Sequence, residues 1–395
     1  MLMTLPDAVL HAILTLNNAG FEAYVVGGCV RDSLMGKIPE DWDITTSATP
    51  DQLQGVFGEY RCIETGLQHG TVTVLIDGMP LEITTYRVDG DYSDGRHPDT
   101  VAFTRCLSED LLRRDFTINA MAYHPTIGLV DRYDGHADIQ GGIIRCVGEP
   151  ERRFGEDALR ILRALRFASV LDFVIDADTA TALKALSPTL CRVSAERIAV
   201  EFKKLLCGKN VVEIFHTYRD VIAVFCPEIA ACNDFHLLSS VKPIPRSRLA
   251  ALFYSAGVSS EKAAEVLRRL RIDNRTIRDV SLLLTDQTKS LYTAESYALH
   301  LLNRLGPELV YDYLAIHEAD VCTIKLVDRL LKEDACYRVS MLAVAGDDVM
   351  AAGVDAGPEV GRILQKLLDA VMEGVCANHK EDLLSYVEKI KKPVQ

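Results

Sequence analysis

The stretch Tyr24 to Ala48, YVVGGCVRDSLMGKIPEDWDITTSA, decides how the rest of the chain is read. An apolar run, Ala23 to Val26, leads directly into Gly27 and Gly28, and the following CVRDSLMG has the spacing of a helix. A strand that turns through glycines into a helix presents backbone N–H groups at the helix N-terminus, a place where phosphate binds readily. Further along, Asp41 and Asp43 flank Trp42. Strand side chains alternate faces, so both carboxylates point one way and the indole the other. Two carboxylates on one face repel unless a cation joins them, and their hard oxygens suit Mg²⁺, which takes one or two carboxylates plus substrate phosphates. Neither the G-x-G-x-x-G of a dinucleotide site nor the G-K-[ST] of a P-loop is present. A cradle at Gly27 and Gly28, a cation at Arg31 and metal ligands at Asp41 and Asp43 are the parts required for transfer from a metal-bound triphosphate.

Outward from this stretch, β-rich pieces (EAYVVGG, WDITTS, GTVTVLID, LEITTYRV) alternate with helical ones up to about residue 125, and strands are not expected beyond it. Residues 72–86 read as two strands joined at Asp77-Gly78, a hairpin turn. Glu82 lies inside the second, where a lone carboxylate needs a partner, either to complete the metal site or to draw the proton from an attacking hydroxyl. From about 155 the chain is helix after helix. The fold class read from this is α+β: a head with a mixed or antiparallel sheet, followed by an all-α remainder.

The 395 residues exceed a single ordinary core. No apolar run approaches the ~18 residues of a membrane helix, and the first twenty residues read as an amphipathic helix without a basic leader, which places the chain in the cytoplasm. Eleven scattered cysteines without a C-x-x-C are expected to be reduced and mostly buried. The net charge of −13 argues against nucleic acid, but the charge is uneven. RRFGEDALRILRALRF (Arg152–Phe167) and RRLRIDNRTIR (Arg268–Arg278) hold five arginines each, and KPIPRSR (Lys242–Arg248) adds three cations.

GG-x-V-R-D followed by D-x-D resembles motif A of the DNA polymerase beta-like nucleotidyltransferases, and more narrowly the class II tRNA nucleotidyltransferase and bacterial poly(A) polymerase family. LLRRDFTINAMAY (Leu111–Tyr123), GLVDRYDGHADIQGGIIRCVG (Gly128–Gly148), RRFGEDALRILRALRFA (Arg152–Ala168) and SAERIAVEFKKLL (Ser194–Leu206) resemble motifs B to E in order. The resemblance implies a head at 1–125, a base-reading neck at 126–207, a helical body at 208–280 and a tRNA-binding tail at 281–395. It implies Asp41, Asp43 and Glu82 as catalytic, the two aspartates holding Mg²⁺, and Arg114, Asp115 and Asn119 lining the nucleotide pocket, the last two spaced to share a helix face.

At 100° per residue, Arg153, Glu156, Asp157, Arg160 and Arg163 fall on one side of a motif D helix, opposite an apolar stripe. A carboxylate accepts from an exocyclic amine and a guanidinium donates to a ring nitrogen, so Asp157 with Arg160 can accept cytosine and adenine and refuse guanine and uracil. The resemblance assigns base reading to Asp157 and Arg160, and nucleotide contacts to Arg163 and Arg166. CTP and ATP as substrates, tRNA as partner, no membrane and no protein partner follow from the same reading. Three products are open: CCA addition, partial CC or A addition, and poly(A) tailing. The segment Tyr86–Phe103 resembles the mobile loop of complete CCA enzymes and, with the chain length, favours CCA. In SRLAALFYSAG (Ser247–Gly257), Tyr254-Ser255 stand where the resembling HD phosphohydrolase helix has His-Asp, so that activity is expected to be lost.

Overall fold

The structure is a computed structural model and describes residues 3–66, 70–90, 101–286 and 293–391. The chain clusters into two units, Met1–Ala230 and Ala231–Gln395.

Unit 1 is built on a seven-stranded sheet of β1 (Ala23–Val26), β2 (Asp43–Thr46), β3 (Arg61–Gly66), β4 (Thr71–Ile76), β5 (Met79–Thr85), β8 (Met121–His124) and β9 (Gly128–Asp131), in the order β3-β4-β5-β2-β1-β8-β9. A separate ribbon pairs β6 (Arg87–Asp89) with β7 (Val101–Phe103). Only β2 and β5 run parallel; every other neighbouring pair in the large sheet is antiparallel. Asp77 (φ 51°) and Gly78 (φ 81°) close the β4–β5 hairpin in the left-handed conformations that a two-residue turn requires. One sheet face carries Val25, Ile44, Leu81 and Ile83 into the main core under the helix Asp7–Asn18. The opposite face holds Tyr24, Val26, Tyr86 and Leu111 in a smaller cluster, and alternation puts Asp43 and Glu82 on this second face.

Strands continue past residue 125, contrary to the sequence reading: β9 completes the sheet, and Ile143–Ile144 pairs in parallel with Val174–Ile175. These pieces are short and carry no alternation long enough to read. Residues 91–100 of the loop expected between Tyr86 and Phe103 lie outside the described residues. None of the eleven cysteines is in a disulfide, and four are buried, so the expectation of mostly buried thiols does not hold.

The helical part of unit 1 comprises Pro150–Glu156, Leu159–Leu171, Ala177–Leu186, Ala195–Leu206 and Val211–Ala223. Leu159–Leu171 packs on Ala195–Leu206, and Ser169 Oγ donates to Leu205 O at 2.8 Å. Gly208 makes that approach possible, since a Cβ there would lie 2.1 Å from Ser169 Oγ.

Unit 2 is helical among its described residues, from Leu237–Ser240 to Lys380–Lys391. Its long helix Ala294–Ile316 breaks at Gly306 (φ 67°) before Pro307. Tyr254 packs edge-on against His317 (ring centroids 4.6 Å apart), which stacks on Tyr313. No helix among the described residues is long and apolar enough to cross a membrane.

Candidate active site

Strand β2 begins at Asp43, and Asp41 lies two residues before it. Trp42 is buried in the main core while both aspartates face solvent, as alternation requires. The parallel pairing of β2 with β5 sets Asp43 opposite Glu82 in register. Glu82 is exposed, so its place in a strand exacts no burial penalty; the sequence reading had it enclosed. Asp43 lies open at its surface but in a concave wall. Desolvation there and the charges of Glu82 and Asp41 push its carboxyl above the ordinary range, against the opposing pull of Arg114.

Asp41 and Asp43 line a cavity of about 420 Å³ together with Gly28, Arg31, Lys37 and Glu40. No three His, Cys, Asp or Glu among the described residues form a ready-made metal cage. Two carboxylates two residues apart on the wall of one cavity nevertheless suit a divalent cation that takes its other ligands from substrate phosphates.

Gly27 (φ 81°) caps the helix Gly28–Leu34, and its N–H is bonded to Met121 O at 3.2 Å. One donor of the expected phosphate cradle is therefore used by the fold. Gly27 serves by conformation: a Cβ there would meet Arg114 Nη1 at 3.1 Å. Arg114 and Arg113 both rest on Asp110, which also accepts from Thr45 Oγ1. Burial alone would raise the Asp110 carboxyl; the two guanidiniums outweigh it and hold it below the usual range.

From Arg31 a chain of polar contacts runs across the motifs. Arg31 Nη1 donates to Asn119 Oδ1 at 2.6 Å, Asn119 Nδ2 donates to Asp115 Oδ1 at 3.1 Å, and Arg163 Nε and Nη2 donate to Asp115 Oδ2 at 2.8 and 2.6 Å. Arg163 and Arg166 both pair with the buried Glu201. Arg31, Arg163 and Arg166 also sit over the Phe167 ring, Arg166 at 3.7 Å. Asp115 and Asn119 do meet, but not on a helix face: the helix ends at Leu112, Phe116 is extended, and Asn119 lies in the 3₁₀ turn Thr117–Asn119. A one-turn arc reproduces the contact that the i,i+4 spacing suggested.

Motif D departs more. It is two helices, broken at Asp157, which is extended (φ −144°, ψ 106°). The side chain of Asp157 accepts from Leu159 N and so starts the second helix. Arg197 Nη1 and Nη2 fork onto Asp157 at 3.2 and 2.7 Å. Arg160 instead donates to Glu156 at 2.6 Å and to the carbonyls of Arg153 and Arg113. Each expected base reader is thus gripped by a different side chain, Asp157 by Arg197 and Arg160 by Glu156, and Arg160 N donates to Asp157 O at 3.0 Å. Arg197, Glu201 and Asp110 were not singled out from the sequence. Arg197 and Glu201 stand four apart in the motif E helix, and Asp110 precedes Arg113 and Arg114 by three and four; helical spacing could have flagged both sets.

Residues 23–145 match the family model described as poly(A) polymerase head domain, residues 172–232 that of an RNA- and SrmB-binding site of polymerase A, and residues 246–387 that of tRNA nucleotidyltransferase domain 2. The CCA-adding enzyme of Enterococcus faecalis is 34% identical over 400 residues, covering 98% of both chains. The chain belongs to the class II tRNA nucleotidyltransferase and bacterial poly(A) polymerase family. Within that family, the CCA-adding enzyme of Limosilactobacillus reuteri is 37% identical over 396 residues, 95% of each chain. The crystal structure of the Bacillus stearothermophilus CCA-adding enzyme in complex with CTP superposes with a TM-score of 0.80 at 31% identity, covering 97% of both chains. The α+β head followed by helical regions is the fold of this family.

Proposed function

We propose that this protein adds C, C and A in turn to the 3′ end of tRNA from CTP and ATP, without a nucleic-acid template, releasing pyrophosphate. The observation that carries the reading is one continuous constellation. The Asp43–Glu82 register pair opens onto the Arg31–Asn119–Asp115–Arg163 chain, with Asp157 and Arg160 held just beyond it by the neck helices.

Asp41 and Asp43 would hold Mg²⁺, which when bound supplies Lewis-acid activation of the α-phosphate and charge neutralisation. Glu82 accepts a hydrogen bond from the primer 3′-hydroxyl and orients it for in-line attack. Arg31 and Arg114 balance the charge of the departing pyrophosphate, and Gly27 and Gly28 let the backbone approach it. Asp115 and Asn119 face the ribose, while Arg163 and Arg166 close the nucleotide pocket around Phe167. Asp157 accepts from the exocyclic amine of cytosine or adenine, and Arg160 donates to the neighbouring ring nitrogen. Guanine and uracil present a carbonyl and an N–H there, and leave both groups mismatched. The four-part division at residues 125, 207 and 280 and a cytoplasmic location belong to the same proposal.

The test is the purified chain with Mg²⁺, each NTP alone or mixed, and tRNA lacking zero to three terminal nucleotides. Addition should stop after the terminal A. Long A tails on any RNA would replace this reading with poly(A) polymerase, and a stop after CC would make it a partial enzyme.

A further inference from the structure

Asp110 is fully buried in the short helix Leu107–Leu112, and no step above uses it. Some of its donors are what neighbouring arginines supply at i,i+3 and i,i+4: Arg113 Nε and Nη2 reach Oδ1 at 3.0 and 2.7 Å, and Arg114 Nη2 reaches Oδ2 at 3.2 Å. The others come from elsewhere in the fold. Thr45 Oγ1, two residues along β2 from Asp43, donates to Oδ2 at 3.2 Å, and Arg87 N, at the start of β6, donates to Oδ1 at 3.4 Å. A helix pair in water would contribute little. This carboxylate is buried at a desolvation cost that donors from three parts of the chain offset, which makes it a rigid node.

What the node holds is Arg114. The other arginines of the site have several partners each: Arg31 meets Asp32 and Asn119, Arg160 meets Glu156 and two carbonyls, and Arg163 meets Asp115 and Glu201. Arg114 hangs on one oxygen. Among the described residues its side chain donates to Asp110 Oδ2 alone, and its Nε is buried without a partner. Its Nη1 lies over Gly27, where a Cβ would come within 3.1 Å, and its charge acts on the Asp43 carboxyl. Thr45 donates to the same Oδ2, so the oxygen that sets Arg114 is itself set by the strand that carries Asp43.

We propose that Asp110 is a positioning residue for nucleotidyl transfer, fixing the Arg114 guanidinium over the Gly27 turn at a set distance from Asp43. This rests on the roles given to Arg114 and Asp43 above. Arg114 must meet the triphosphate while the α-phosphate meets the metal on Asp43, so a guanidinium that drifts by an ångström separates two contacts that have to be made together.

The test is a double-mutant cycle in the full-length chain: D110N, R114Q and D110N/R114Q, with kcat/KM for CTP and ATP at saturating tRNA, and Kd for CTP by calorimetry without tRNA. D110N keeps the shape of the side chain and removes its charge. It should lower kcat/KM for both nucleotides about 30-fold and weaken CTP binding. In the R114Q background the same substitution should change either quantity by less than about threefold, because its effect passes through Arg114. A purely structural role would give equal losses in both backgrounds, and that result overturns the proposal, as does a D110N enzyme with wild-type kcat/KM. Should D110N fail to fold, T45V and T45V/R114Q repeat the cycle by removing one hydrogen bond to Oδ2 and no charge. T45V should then lower kcat/KM about fivefold in the wild-type background and leave it unchanged beside R114Q, and a loss that is absent or equal in both overturns the proposal. A wild-type protein that binds CTP but adds no nucleotide overturns the catalytic reading, while the cycle in Kd still decides this one.

Discussion

Arg197 grips Asp157 through both terminal nitrogens, at 3.2 and 2.7 Å, across two helices that are distant in sequence. A forked guanidinium fixes the plane of a carboxylate in a way that an ammonium cannot. If Asp157 reads the exocyclic amine, Arg197 decides where its acceptor points. Arg197→Met should lower kcat/KM for CTP and ATP by ~10–100-fold, about 1.4–2.7 kcal/mol. UTP and GTP should lose less, so that selectivity narrows, and Arg197→Lys should recover only part of it. Relative kcat/KM for the four nucleotides on one tRNA measures this; an unchanged ratio would sink the positioning role.

The metal assignment predicts a different pattern. Asp41→Ala and Asp43→Ala should each reduce nucleotide addition about a thousandfold or more while leaving tRNA affinity near wild type. Glu82→Gln should be milder in kcat. Turnover that survives the double aspartate variant would show that the carboxylates do not carry the reaction.

Asp115 sets the acid stability of the site. Its burial would raise the carboxyl, but the bidentate contact from Arg163, with Asn119 and Arg160, holds it well below the usual carboxylate range. A depressed folded-state value means that its contribution is present above the ordinary carboxylate range and lost as pH falls through the folded value. Asp115→Asn should therefore destabilise the protein by about 2 kcal/mol at neutral pH, with Arg163 left unpaired on that side. The deficit should shrink towards pH 2 and below. Urea unfolding at several pH values tests the sign: a deficit that grows on acidification contradicts the assignment.

Gly27 and Gly28 should separate cleanly. Gly27→Ala must adopt a positive φ and press a methyl towards Arg114, for a loss of about 1–2 kcal/mol and several degrees in Tm. Gly28→Ala meets only Arg31 Nη2 at 3.7 Å, an ordinary contact. It should keep its Tm and raise KM for the nucleotide alone, as a backbone approach to phosphate would require. Matching thermal melts of the two variants would refute the conformational role of Gly27.

Much of this was legible in the chain itself. Short-range rules suffice where the relevant contact is local. Alternation puts Asp41 and Asp43 on one side of Trp42, an Asp-Gly pair closes the β4–β5 hairpin, and apolar spacing places Ala158, Ile161, Leu162 and Leu165 inside. The order of the motifs named the family.

What the sequence could not decide are the contacts made between elements. That Gly27 spends its N–H on Met121, that motif D breaks at Asp157, and that Asp157 belongs to Arg197 while Arg160 belongs to Glu156 all depend on which helices pack together. A periodic helical pattern runs unchanged through a break that a side chain capping Leu159 creates, so periodicity gave one helix where there are two. Residue types and spacings selected the chemistry; only the packing of the helices Leu159–Leu171 and Ala195–Leu206 against one another and of β2 beside β5 set which carboxylate faces which guanidinium, because an ion pair is decided by distance in space and not by distance along the chain.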